Sequence, residues 1–192
     1  PDGKGALFAS THEEPTARAE MQAELDFRAS GEQRRYSWDY DEAFEIYSVA
    51  RGSDDYRNLT NALGYDAEGA YSPDGSRIVF ASNRLAYSEP MSDADRAIFE
   101  RDPSYMMDIY IMDADGGNVA RLTEAPGYDG GPFFSPDGER IVWRHFNEEG
   151  TLAEIWTMKA DGTDKRQVTD FGAMSWAPFY HPSGDYIVFT SS

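Results

Sequence analysis

The chain has 192 residues and a formal net charge of −18, from 17 basic and 35 acidic side chains. A field of this sign repels phosphate backbones and anionic lipid surfaces, so we expect neither nucleic-acid nor membrane-surface binding. The chain has no cysteine, which excludes thiolate catalysis, disulfides and cysteine-ligated metals. No apolar run reaches the roughly 18 residues of a spanning helix, so we expect no direct membrane insertion.

Three short phrases recur in a fixed order, which indicates a repeat architecture. The first carries Pro, Asp and Gly before an apolar run: PDGKGALFAS from Pro1, SPDGSRIVFAS from Ser72, SPDGERIVWRH from Ser135 and HPSGDYIVFTS from His181. The second runs from an acidic residue to a threonine: EIYSVARGSDDYRNLT from Glu45, DIYIMDADGGNVARLT from Asp108 and EIWTMKADGTDKRQVT from Glu154. The third precedes the first: GYDAEGAYSPDG from Gly64, GYDGGPFFSPDG from Gly127 and GAMSWAPFYHPSGD from Gly172.

The composition of these phrases predicts short strands joined by tight turns. Pro presets φ, Asp bonds nearby amides and Gly accepts positive φ, whereas the β-branched and aromatic runs at 77–80 and 108–112 favour strands. The prolines of the first phrase lie 72, 63 and 46 residues apart. Because the shortest spacing is close to the ~40–45 residues of one blade, we predict an all-β propeller of four-stranded antiparallel blades.

The phrases SPDG-x-R-I-V-F-x-S, D-I-Y-x-M-x-A-D-G and R-L-T closely resemble the repeat of TolB-like β-propellers, over nearly the whole chain outside two insertions. The resemblance implies four strands per blade, from A innermost to D outermost. It also implies a periplasmic or cell-surface protein that docks a protein or peptide partner. The signature says more about fold than about function, because such propellers serve many roles.

The chain then supplies about three and a quarter blades. Blade one has strands B to D within 1–60, blades two and three are complete at 64–123 and 127–169, and blade four has only A and B within 172–192. Propellers usually have four to eight blades. We therefore expect a piece of a longer protein, or a chain that needs a second copy to close the ring.

Both insertions fall between strands B and C, at about 12–43 and 83–107. The first predicts a helix over about 15–29, whose apolar stripe of Ala17, Met21 and Leu25 we expect to pack on the propeller. The second predicts a short helix that begins after the N-cap Ser92 and runs to about Arg101.

The D–A loops and the insertions share one face, and long loops on a rigid scaffold usually carry function. The candidate binding residues on this face are Trp38, Tyr65, Asp66, Glu68, Arg84, Tyr128, Asp129, Ser175 and Trp176, together with His12 and His145. The repeated Tyr-Asp pairs would ring the channel mouth and hold a cationic or peptide group, or a sugar. The alternative is that Asp66 and Asp129 cap turn amides while the Tyr rings pack between blades.

No catalytic or metal motif is complete, so we predict neither a metal nor another cofactor. His12 and His145 lie near the ends of B strands on the loop-rich face, whereas His181 lies in a turn on the opposite face. The sequence has no H-E-x-x-H pair, no G-x-S-x-G elbow and no phosphate-binding loop. The segment from Asp113 resembles a calcium loop but has Asn118 where that loop requires Gly.

Three functions fit these observations. The first is a non-catalytic binding module of the cell envelope that recognises a protein or peptide on its loop-rich face. The second is the accessory propeller of a larger hydrolase, as in prolyl-oligopeptidase relatives and some zinc aminopeptidases. The third is a metal-dependent lyase acting on acidic sugars, which the resemblance to TolB-like propellers also allows.

Overall fold

The computed structural model describes residues 3–34 and 40–192. In this part of the chain thirteen strands form four antiparallel sheets of three, four, four and two strands, which we call blades one to four. Blade one contains β1 (Gly5–Ser10), β2 (Glu45–Ala50) and β3 (Tyr56–Asn58). Blade two contains β4 (Ala67–Tyr71), β5 (Arg77–Ser82), β6 (Asp108–Asp113) and β7 (Ala120–Arg121). Blade three contains β8 (Asp129–Phe134), β9 (Arg140–Phe146), β10 (Ala153–Lys159) and β11 (Arg166–Gln167), and blade four contains β12 (Ser175–Tyr180) and β13 (Ile187–Ser191).

The hydrophobic core lies between successive blades. Blades two and three share the largest cluster, in which Val79, Ile109, Ile141 and Met158 are fully buried. A second cluster around Ile46 and Phe80 joins blades one and two, and a third around Val142 joins blades three and four. Each sheet thus buries side chains on faces that meet its neighbours, which fixes the relative positions of the loops.

Helices occur in both insertions. They are α1 (Ala17–Ser30), α2 (Leu85–Ser88) and α3 (Asp93–Arg101), followed by a 3-10 turn at Pro103–Met106. Ser92 caps α3 as the sequence predicts, since its hydroxyl accepts the Asp95 N–H at 3.1 Å. The prediction for the stripe of α1 is wrong: Met21 and Leu25 are 60% and 51% exposed. The apolar residues of this helix form only one narrow stripe. Burying that stripe would give too little free energy to hold a strongly charged helix against the sheets.

Each innermost strand begins with the same bulge. The strand register shifts between Ala67 and Ala70, between Gly130 and Phe133, and between Trp176 and Phe179. In each bulge one residue has positive φ: Glu68 at 55°, Gly131 at 61° and Ala177 at 49°. Left-handed backbone costs a non-glycine residue about 1–2 kcal/mol, so neighbouring contacts must hold it.

A carboxylate and a threonine join strands C and D in every blade that has both. Thr169 Oγ1 accepts the Ile155 N–H at 2.9 Å and donates to the Glu154 carboxylate. Thr60 makes the same two bonds with Ile46 and Glu45 in blade one. Thr123 accepts the Ile109 N–H in blade two. This arrangement explains why the second phrase runs from an acidic residue to a threonine.

We predict that Thr169→Val lowers the free energy of unfolding by about 1–3 kcal/mol, because it leaves the buried Ile155 amide without a partner and removes one hydrogen bond to the Glu154 carboxylate. Urea denaturation followed by far-UV circular dichroism measures the change. Thr163→Val, at an exposed turn, is the matched control and should cost less. An equal loss in both variants would contradict the role of this bond.

Candidate functional site

A cavity of about 530 Å³ opens on the loop-rich face, where the innermost strands begin. Side chains from the D–A loops, the second insertion and the end of β9 line it. They are Tyr65, Glu68, Asp102, Ser104, Tyr105, Tyr128, Arg144, Phe146 and Trp176, with Gly150 at the edge. Four of the residues selected from the sequence, Tyr65, Glu68, Tyr128 and Trp176, therefore meet in one place.

Glu68 is at the centre of the polar network in this cavity. Its carboxylate accepts the Gly131 N–H at 2.7 Å, the Tyr128 hydroxyl at 2.9 Å and Arg144 Nη2 at 2.7 Å. Arg144 Nη2 also lies 2.6 Å from the Tyr128 hydroxyl. Burial raises the pKa of Tyr128, and the nearby Glu68 charge raises it further, so this phenol stays a neutral donor. The network fixes the strained bulge of blade two to the bulge of blade three.

Arg144 crosses the cavity between two aromatic rings. Its guanidinium carbon lies 5.0 Å from the ring centres of both Tyr128 and Trp176. The residue is only 8% exposed, and its Nε has no hydrogen-bond partner among the described residues. Trp176 remains 40% exposed on the solvent side. A buried donor without a partner costs about 1–3 kcal/mol, so the position of Arg144 needs an explanation beyond the stability of the blade.

The repeats show which of these residues the blades themselves do not need. At the position of Glu68 the next two blades have Gly131 and Ala177, and at the position of Arg144 the neighbouring blades have Ala81 and Thr190. A long charged side chain is thus not part of the blade design at either position. Sequence reasoning missed Arg144, although a charge inside the otherwise apolar strand phrase was a usable signal.

Asp66 and Arg84, both selected from the sequence, form a buried ion pair instead of lining the cavity. Arg84 Nη2 lies 2.6 Å from the Asp66 carboxylate, and its guanidinium covers the rings of Phe80 and Tyr110. Burial raises the pKa of Asp66 to about 6, against the opposing effect of Arg84. The alternative that Asp66 caps turn amides is wrong, because its partners are side chains.

Asp129 also binds side chains and not turn amides. Its Oδ1 accepts Trp143 Nε1 at 2.9 Å and contacts His145 Nδ1 at 2.7 Å. Ser175 occupies the same repeat position in blade four, where its hydroxyl donates to Ser191 at 3.3 Å. These pairs join the start of strand A to the end of strand B, and they lie outside the 530 Å³ cavity.

The remaining candidates do not join the cavity. His12 is in blade one, where its ring packs on Tyr47 with centroids 4.4 Å apart and Nδ1 contacts the Ser10 hydroxyl. Trp38 lies outside the described residues. Within residues 3–34 and 40–192, no three His, Asp or Glu side chains are grouped so that they could hold a metal ion. No helix of this same part is long and apolar enough to cross a bilayer.

Comparison with known proteins places this chain beside propeller proteins. No protein-family model matches it. It is 41% identical over 109 residues to an uncharacterized protein of Agrobacterium fabrum, over 57% of this chain and 31% of that protein. It is 34% identical over 85 residues to dipeptidyl-peptidase 5 of Porphyromonas gingivalis, over 42% of this chain and 10% of that protein. The chain therefore spans less than a third of the length of these curated relatives.

Solved structures show the fold. A candidate TolB from Agrobacterium tumefaciens matches with a TM-score of 0.58 and 30% identity, over 78% of this chain and 46% of that one. TolB from Acinetobacter baumannii matches with a TM-score of 0.57 and 21% identity, over 97% of this chain and 35% of that one. An oligogalacturonate lyase in complex with manganese matches with a TM-score of 0.57 and 18% identity, over 77% and 41%. The chain has a TolB-like propeller fold.

We predict that Gly131→Ala lowers the free energy of unfolding by about 1–2 kcal/mol from left-handed backbone strain, with a further loss from displacing Arg144. A Cβ at Gly131 would lie 2.4 Å from Arg144 Nη1. In an Arg144→Ala background only the backbone part should remain. A double-mutant cycle by urea denaturation measures the difference, and strict additivity would contradict the contact.

We also predict that ionisation of the Asp108 carboxyl lowers the free energy of unfolding as pH rises. Burial raises the pKa of Asp108, Arg121 opposes this rise and the nearby Asp129 adds to it, and the net value is about 7. Between the unfolded value near about 4 and this value, the folded state holds more protons, so stability falls with rising pH. Thermal melts from acidic to mildly alkaline pH should show Asp108→Asn gaining on the wild type as pH rises, by up to about 4 kcal/mol.

The control for this pH profile is Asp74→Asn. The pKa of Asp74 is lowered to about 2 by hydrogen bonds from Ser72 and Ser76, so Asp74 adds stability as pH rises through its acidic range. The two variants should therefore diverge from the wild type in opposite directions. A constant offset of Asp108→Asn at every pH would contradict the prediction.

Proposed function

We propose that this chain is a non-catalytic recognition module that binds a protein or peptide segment in the 530 Å³ cavity of its loop-rich face. The observation that carries the proposal is the Glu68–Tyr128–Arg144 network beside the exposed Trp176. Two of its members, Glu68 and Arg144, occupy positions where the neighbouring blades have small residues. Pockets of this size, with aromatic walls and a few fixed polar groups, are typical of ligand sites.

The charges of the cavity favour a segment with basic side chains. Arg144 is already neutralised by Glu68, whereas Asp102 has one carboxylate oxygen engaged by Ser104 and no basic partner among the described residues. The rings of Trp176 and Tyr105 already hold Arg144 and Arg101, which is the kind of contact that a basic side chain of the segment would make with the exposed part of Trp176. The overall charge of −18 would steer such a segment to the surface.

A second depression of about 300 Å³ continues the cavity outward across Tyr105, which lines both. It is bordered by apolar side chains of the second insertion, including Met91 and Ile98, and by the acidic Glu89, Glu124 and Glu148. An extended chain crossing Tyr105 could place one side chain in each depression. This arrangement supports a peptide more than a compact small molecule.

The chemistry of the cavity supports binding over catalysis. Among the described residues that line it there is no histidine, and the Ser104 hydroxyl donates to Asp102 at 2.6 Å and not to a base. TolB proteins among the structural neighbours support a periplasmic or other cell-envelope location. Phe179, Tyr186 and Val188 are about half exposed on blade four, which supports packing against further blades or a second copy.

The second candidate is the accessory propeller of a peptidase. The similarity to 10% of dipeptidyl-peptidase 5 favours it. In that case the same cavity would orient peptide substrates for catalytic residues elsewhere. Cleavage of a chromogenic dipeptide substrate by the full-length protein, reduced in kcat/KM by Trp176→Ala, would support this candidate over a pure docking module.

Selection of random peptides displayed on phage, followed by fluorescence anisotropy with the selected peptides, tests the proposed function. We predict enrichment of Lys and Arg, and a Kd at least about tenfold higher for Trp176→Ala and for Glu68→Gln, because the latter leaves the Arg144 charge uncompensated in the cavity. The matched control is Arg140→Ala, because Arg140 lies on the same strand as Arg144 but pairs with Asp164 at the opposite end of blade three.

Equal affinity of the wild type and both cavity variants would contradict the proposal. So would an equal loss in Arg140→Ala, since that would indicate a general effect on folding. Thermal melts of each variant separate the two explanations.

A further inference from the structure

Blade three differs from the other blades at two positions that meet in one cleft. At the end of strand B it has His145, where blades two and four have Ser82 and Ser191. In strand C it has Trp156, where blades one and two have the buried tyrosines Tyr47 and Tyr110. The rings of His145 and Trp156 contact each other edge to face, with centroids 5.7 Å apart.

The buried Asp129 carboxylate fixes the orientation of the His145 ring. Asp129 is 1% exposed, and its Oδ1 accepts Trp143 Nε1 while it contacts His145 Nδ1 at 2.7 Å. Because an ionised carboxylate only accepts, Nδ1 carries the proton. Nε2 is then an acceptor that a ligand could use, since it has no hydrogen bond within the described residues. The equivalent serines of blades two and four are instead satisfied inside the protein, by Arg84 and by Ser175.

Trp156 adds a second free group beside this imidazole. Its indole N–H donates no hydrogen bond to the part of the chain that the structure describes, and its ring is only half-buried. Trp156 packs on Trp143 as Tyr110 packs on Phe80 and Tyr47 on Phe8, but the two tyrosines are buried whereas the indole is partly exposed. The change to Trp in blade three thus exposes part of an aromatic ring and a donor together.

These groups line a cleft of about 350 Å³ between blades two and three. The loop after blade two contributes the carboxylate of the exposed Glu124, and the turn before β11 contributes Lys165, which already donates to the Gly162 carbonyl. The cleft shares no lining residue with the 530 Å³ cavity that contains Arg144 and Trp176. The cleft is thus separate from that cavity, although it shares Glu124 and Ala125 with the 300 Å³ depression beside it.

We propose that this cleft binds a sugar residue, with the ring stacked on Trp156 and its hydroxyl groups bonded to His145 Nε2, the Trp156 N–H and Glu124. A pyranose has an apolar face of C–H groups that fits an indole, and hydroxyls that both donate and accept. The cleft offers a matching mixture, namely an imidazole acceptor, an indole donor and one carboxylate. A planar aromatic ligand would use the Trp face but would leave the imidazole and the carboxylate without partners.

Titration of the full chain with glucose, galactose and N-acetylglucosamine, each followed by the indole N–H signal of Trp156 in a ¹⁵N–¹H spectrum, tests the proposal. Trp156→Tyr assigns that signal. We expect saturable shifts with at least one sugar, and a Kd at least about tenfold higher in His145→Ser. Both substitutions introduce the residue that equivalent blades already carry, so the fold should persist.

The control Trp176→Ala removes an aromatic ring from the other cavity and should leave sugar binding unchanged. This control also separates the two proposals, because peptide binding can fail while sugar binding holds, or the reverse. Adenine serves as the planar aromatic probe. Saturation by adenine and not by the sugars would overturn the proposal, as would an absence of shifts with all three sugars or equal sugar affinity in His145→Ser.

Discussion

The left-handed bulge at the start of each innermost strand is the constraint on which the rest of the site depends. It places Glu68, Gly131 and Ala177 in positive φ at the same point of three blades. In blade two the strain is held by the Glu68 carboxylate, which accepts the amide of the next bulge at Gly131. One interaction therefore joins two blades, orients Arg144 and shapes the cavity mouth, so the backbone strain is located where the cavity is formed.

Because the blades repeat, residues at equivalent positions of different blades can be compared within this one chain. Every complete copy needs the turn serine, the left-handed bulge and the bond between a carboxylate and a threonine, and these recur without regard to what the blade binds. Residues that depart from the pattern, such as Arg144 and His145, cannot be explained by the blade itself. Arg144 has a buried Nε without a partner among the described residues, and His145 makes its hydrogen bond through Nδ1 alone.

Turn chemistry and strand composition predicted the strands and the second helix, because Pro-Asp-Gly turns and β-branched runs act locally. Packing was harder to predict. Met21 and Leu25 indicated a buried face, but the helix that carries them gains no cover from the sheets. Asp66 looked like a turn cap because its partner Arg84 is 18 residues away along the chain. Such pairings depend on which strands become neighbours in the fold, and the spacing of residues along the sequence does not predict this.

Strand β9 explains how one blade can contribute to two separate cavities. Successive side chains on a strand point to opposite faces, so Val142 and Arg144 face away from Trp143 and His145. Val142 packs toward blade four and Trp143 toward blade two. Arg144 accordingly reaches Trp176 of blade four, while His145 stays beside Asp129 and Trp156. Two adjacent residues thus line different cavities, and a change in one need not disturb the other, because their side chains lie on opposite faces of β9.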